Sequence, residues 1–97
     1  MDFRQLEYIL KIAEENNITR AAEKLFISQS ALNQQLLKLE KELGCQLFHR
    51  SRTDWHLTEA GRIYVEGAKK ALLLKKETYN QINDAIQSKK CQLTVGL

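Results

Sequence analysis

Gln29 and Ser30 are followed three and four residues on by Asn33 and Gln34, and Gln34 four residues on by Lys38, which on a helix places them along one face. Nearly all of them hydrogen-bond, and only one carries a charge. Side-chain amides donate and accept at once, so such a face suits a partner that presents edges of donors and acceptors rather than a bare charge. On an arbitrary helix the same residues would simply be solvated surface amides. A second group follows at Arg50 and Arg52, with His49 and His56 close by around the polar stretch Ser51-Arg52-Thr53-Asp54. Basic side chains on a short projecting loop meet an anionic backbone well. The residue sets of common catalytic motifs are missing: there is no His-Glu-x-x-His, no glycine-rich phosphate loop and no nucleophile elbow, and no cofactor is implied. The two histidines have no Cys, Asp or Glu at ligand spacing from both, so no metal site is expected.

These groups need elements to hold them. Phe3, Leu6, Ile9, Leu10 and Ala13 repeat at helical spacing, predicting an amphipathic helix over residues 3–15 that Asn16-Asn17 breaks. Thr19 is the expected N-cap of a short second helix with Ala21, Ala22 and Leu25 inward. After a turn at Phe26-Ile27, Ser28 caps a third helix lying on Leu32, Leu36, Leu39 and Leu43, and Gly44 ends it. From Cys45 to Leu57 the apolar residues alternate with polar ones, which reads as two short strands joined by a hairpin.

Thr58 then caps a final helix expected to reach Ser88, far longer than so small a core can cover. Val65, Leu72, Tyr79 and Ile86 recur at intervals of seven, with Ala68 and Ile82 broadening the stripe, so a partner helix from a second copy is expected along it. The competing reading is that the stripe packs on its own domain. Gln92 to Gly96 resembles the opening of a β-strand, which suggests that the chain is the front part of a longer protein.

The 97 residues include no proline and four glycines and are 43% hydrophobic, which fits one modest, mainly helical core. No apolar run is long enough to span a bilayer and the start does not look like a secretion signal, so a cytoplasmic protein without membrane contact is expected. Cys45 and Cys91 sit among Leu and Val and read as buried apolar thiols. The net charge of +3 is unevenly spread: residues 1–27 carry four basic against five acidic groups, and residues 59–97 carry seven against four. A lysine-rich solvated helix accounts for the last segment as well as an anionic partner does.

Two short helices joined by a turn, the second showing polar groups outward, form the helix-turn-helix arrangement, whose second helix fits the major groove of DNA. Asn33 and Gln34 are amides of the kind that grip an adenine edge in two places, while Ser28 and Thr19 suit phosphates. The hairpin would be a wing laying Arg50 and Arg52 along the neighbouring backbone or minor groove, with Trp55 packing it onto the last helix. The expected fold is therefore mainly α: a winged helix-turn-helix of three helices plus a two-stranded β-hairpin over residues 1–58, followed by a long dimerising linker helix over residues 59–88. A helical interaction module is the competing class, but it leaves the polar face and the arginine hairpin unexplained.

The stretches Ile18-Thr19-Arg20-Ala21-Ala22-Glu23-Lys24-Leu25, Ile27-Ser28-Gln29-Ser30-Ala31-Leu32, Leu39-Glu40 to Leu43-Gly44, Leu47-Phe48, Arg50 and Leu57-Thr58-Glu59-Ala60-Gly61 closely resemble the LysR-type transcriptional regulators. The resemblance covers nearly the whole chain. It implies double-stranded DNA as partner, a homodimer through the linker helix, a tetramer in the full-length protein, and a small-molecule effector bound by a C-terminal domain that would begin at residues 89–97. Carried over by position, Gln29, Ser30, Asn33 and Gln34 read DNA and Arg50 touches its backbone. The family often has Pro at the place of Ser30, Ser at Asn33, Arg at Gln34 and Gly-Arg at Arg52-Thr53; these departures leave the fold untouched and bear on the base preference and on the register of the basic wing residue.

Overall fold

The computed structural model describes the backbone of residues 2–52 and 54–96, and side chains among these as far as residue 88. In chain order it runs α1 (Phe3–Glu15), α2 (Ile18–Leu25), α3 (Gln29–Leu43), β1 (Phe48–Arg50), β2 (Trp55–Leu57) and α4 (Glu59–Gly96). The strands pair antiparallel with Phe48 opposite Leu57, His49 opposite His56 and Arg50 opposite Trp55. This is the winged helix-turn-helix with a long final helix that the sequence predicts.

Local chemistry sets the boundaries. The Asp2 carboxylate accepts the Gln5 N–H at 2.8 Å and starts α1, and Asn16 ends it in the left-handed region at φ 54°. Asn17, rather than Thr19, caps α2: its side chain accepts the Arg20 N–H at 3.0 Å. An asparagine pair can close one helix and open the next because one side chain tolerates the left-handed turn and the other accepts a free N–H. Lys24 lies 2.8 Å from Glu15 and clamps α2 to α1; its hydrogen bond holds the Glu15 carboxyl below the usual carboxylate range.

Between α2 and α3 the chain turns through Phe26 at φ 59°, with the Phe26 N–H bonded to the Glu23 carbonyl and the Ile27 N–H to that of Ala22. That pair of bonds is a Schellman closure, which ordinarily favours glycine at the left-handed position. Ser28 Oγ accepts the Ala31 N–H at 3.1 Å and starts α3, and Gly44 stops it at φ 76°.

The core lies where α1, α2, α3, the hairpin and the start of α4 meet: Ile9, Ile12, Ala21, Leu32, Leu36, Leu39, Leu47, Phe48 and Val65 are all buried. Phe3 and Leu43, expected inside, are largely exposed because they sit past the ends of the packed region. Cys45 is exposed as well, which corrects its reading as a buried thiol; Leu47 takes the inward place in the link that follows Gly44. The side chain of Cys91 lies outside the described residues.

α4 is docked by its first turn. Thr58 Oγ1 donates to the Gln46 carbonyl at 2.8 Å and accepts the Gly61 N–H at 3.0 Å, while the Thr58 N–H reaches the Leu47 carbonyl at 3.0 Å. Gly61 is obligatory at this crossing, because a Cβ there would run into the Leu47 carbonyl. The 38 residues of α4 span about 57 Å at 1.5 Å each, and the molecule accordingly measures 65 × 26 × 20 Å. The backbone is helical through Gly96, so the helix does not stop at Ser88 and residues 92–96 are not a strand. With no proline and a run of Lys, Gln and Leu, nothing local ends it earlier. Among the described residues no helix is long and apolar enough to cross a membrane.

Candidate nucleic-acid interface

Because Leu32, Leu36 and Leu39 are completely buried, the opposite side of α3 must face solvent. Ser28, Gln29, Ser30, Gln34 and Lys38 are exposed and Asn33 is half-buried, so six of the sequence-derived residues come together on one surface. Thr19 joins them from α2, though not as a cap: its hydroxyl donates to Gln29 Oε1 at 2.9 Å. That bond ties the start of α3 to the start of α2 and leaves the Gln29 amide nitrogen free to donate outward. Ser28 and Ser30 place their hydroxyls 3.4 Å apart beside it.

The two arginines of the hairpin separate. Arg52 is exposed at the tip and shares a polar cleft with Asn17, Thr19 and Gln29, bringing a guanidinium beside the first turn of α2, whose free N–H groups favour anions. Ser51 and Asp54 close this tip, the Ser51 N–H bonding to the Asp54 carbonyl at 3.1 Å and the Asp54 N–H to Ser51 Oγ at 2.9 Å. Arg50 instead turns inward, forming an ion pair with Glu40 and stacking over the Trp55 ring at 5.2 Å. The same Glu40 carboxylate accepts the Leu47 N–H at 2.7 Å. Glu40 is thus a buried latch that holds the hairpin against the end of α3, and Arg50 fixes the wing rather than projecting from it. Trp55 packs against Phe48, within the hairpin itself, with ring centres 5.9 Å apart. His49 and His56 face each other on the outer side of the hairpin, ring centres 5.0 Å apart, with Asp54 3.2 Å from His56.

Sequence reasoning missed the latch although its signal was present. Glu40 falls four residues after Leu36, on the leucine side of α3, and a carboxylate placed there requires a buried cation or N–H partner.

The expected pairing stripe of α4 is split. Val65 and Ala68 are only 6% and 2% exposed and belong to the domain's own core, so they are not free for a second copy. The stripe begins to pack inward because the first turns of α4 lie against α1 and the hairpin. Leu72 is half-buried, and Tyr79, Ile82 and Ile86 are exposed; Leu73 and Leu74 are exposed too, on other sides of the helix. Lys75 lies over the rings of both Phe3 and Tyr79, at 4.6 and 5.8 Å, at the point where the helix leaves the domain. Among the described residues no group of three or more His, Cys, Asp or Glu could hold a metal ion.

Two helices set across a tight turn, an amide-bearing outer face and a hairpin latched beside it define a winged helix-turn-helix module. Comparison with known proteins narrows the class. Residues 3–62 match the family described as bacterial regulatory helix-turn-helix protein, lysR family, and the chain belongs to that family. It is 37% identical over 97 residues to the uncharacterized HTH-type transcriptional regulator YcgK of Bacillus subtilis, covering the whole of this chain and 30% of that protein. Two solved structures superpose on most of it. The CbnR DNA-binding domain in complex with DNA gives a TM-score of 0.82 at 36% identity, over 88% of this chain and 98% of that one. The BenM DNA-binding domain with its benA site 1 DNA gives 0.83 at 33% identity, over 88% and 96%.

Proposed function

We propose that this chain is the DNA-reading part of a sequence-specific transcriptional regulator. α3 lies in the major groove of double-stranded DNA, and the hairpin tip with Arg52 meets the adjacent backbone or minor groove. The exposed distal part of α4 pairs two subunits on a palindromic site. The observation that carries this reading is the geometry of α3: Leu32, Leu36 and Leu39 are fully buried, and Gln29, Ser30, Asn33 and Gln34 stand on the other side beside a basic hairpin tip. The superposition on two domains described with their DNA supports it.

The chain spans about a third of the length of a relative such as YcgK, so the whole protein's behaviour extends the proposal. A C-terminal domain would bind a small effector, tetramers would form from dimers, and the protein would act in the cytoplasm without catalysing a reaction. The relatives' naming as transcriptional regulators supports the last point.

The test is binding to a duplex enriched from a random pool. Log affinity should fall linearly with log salt as neutralised phosphates release counterions. Gln34→Ala should lose about 1–3 kcal/mol on the enriched duplex and little on random DNA. Salt-independent binding, or equal affinity for enriched and random duplexes, would overturn the proposal.

A further inference from the structure

One large side chain on the reading face of α3 does not share its polarity. Leu37 is 49% exposed, one turn beyond Asn33 and three residues after Gln34, between positions that otherwise carry amides, hydroxyls and Lys38. The helix does not need it for folding, since Leu32, Leu36 and Leu39 already fill the inward side completely. A lone surface leucine is ordinary elsewhere. Here its neighbours on the same face are the groups assigned to base edges. Most features of the major-groove base edges are hydrogen-bond donors or acceptors, and the one apolar group that projects from them is the 5-methyl of thymine. An apolar side chain set among amides therefore has one complementary feature to meet.

The geometry points to Leu37 as a specificity-determining residue that packs on a thymine 5-methyl group in each half-site. The inference rests on the assignment of α3 as the reading helix and adds to it a base identity that amide chemistry alone does not supply. An aliphatic side chain in this place makes no phosphate contact, so its contribution is insensitive to salt and sensitive to a single methyl group.

The experiment uses the 97-residue chain and its own enriched duplex, with each thymine replaced singly by deoxyuridine. That replacement removes the methyl group and keeps every hydrogen-bonding atom. At one thymine per half-site the wild-type chain should lose about fourfold in affinity, the equivalent of one methyl group withdrawn from an apolar contact. Leu37→Ala should bind the thymine and deoxyuridine duplexes equally there, while Gln34→Ala should keep the wild-type discrimination. Thermal melting of Leu37→Ala should match the wild type, separating the contact from folding. The inference is overturned if the wild-type chain is indifferent to every replacement, or if Leu37→Ala still discriminates. A wild-type chain that enriches no sequence at all overturns the reading-helix assignment first and this inference with it.

Discussion

α3 and the distal part of α4 both leave a face uncovered, and they fill those faces with opposite chemistry. On α3 the outward residues include Gln29, Ser30, Gln34 and Lys38, with Leu37 as the large apolar exception. Past the domain, α4 shows Tyr79, Ile82 and Ile86 along one face, with Tyr79 58% exposed. The first surface suits a partner rich in donors and acceptors, and the second suits another apolar helix. The two tasks are separable in the chain because each face lies on its own element, joined through α1, the hairpin and the first turns of α4.

That separation breaks most visibly at Ile82. An aspartate there places a charge in the proposed helix seam and touches nothing in the domain core. Ile82→Asp should sediment as a monomer at concentrations where the wild type is a dimer, and should lose about a hundredfold or more on the palindromic duplex as avidity disappears. Affinity for an isolated half-site should stay at the wild-type level. Leu72, the more obvious heptad position, is half-buried and would mix folding with assembly. A dimer that survives Ile82→Asp would move the seam elsewhere on α4.

How far the sequence foresaw this division depends on what each inference required. The order of helices and the hairpin followed from period and turn chemistry, and the outward amides followed from the leucines opposite them. The heptad stripe was legible as a stripe but not as two surfaces. Val65 and Ala68 carry the same spacing as Tyr79 and Ile82, and only the position of the domain decides that the first pair is core. Arg50 and Arg52 look equivalent in sequence, whereas Glu40, ten residues before Arg50, claims one of them. The capping role went to Asn17 instead of Thr19 because the helix already begins at Ile18, and Thr19, inside its first turn, donates instead to Gln29 across a contact that the folded turn creates.

The Glu40 latch gives the next largest effect and sharpens the comparison, because it couples the reading helix to the wing and, among the described residues, has no counterpart on distal α4. Glu40→Ala should cost about 3 kcal/mol, since it leaves the Arg50 guanidinium and the Leu47 N–H without their shared partner in a largely buried place. Denaturant unfolding measures this. Arg52→Ala, at the exposed tip, should leave stability unchanged and weaken all duplexes alike. If Glu40→Ala unfolds at the wild-type midpoint, the hairpin is held by Phe48 and Trp55 packing alone.

Phe26 supplies the smallest and most local effect, at the turn that sets the angle of α3. Its φ of 59° lies in the left-handed region, and its side chain is 93% exposed, so the turn accepts a strained backbone without the packing that usually compensates. Glycine adopts this conformation freely and fits the Schellman closure formed by the Phe26 and Ile27 N–H groups. Phe26→Gly should therefore raise the unfolding free energy by up to about 1 kcal/mol, the relief of a left-handed residue set against glycine's greater freedom in the unfolded chain. The comparison gains from the sign of the change. A more stable Phe26→Gly with unaltered duplex affinity means that the turn only orients the reading face. A less stable one means that the aromatic ring, exposed as it is, supports the turn through a contact that the geometry of α2 and α3 does not reveal.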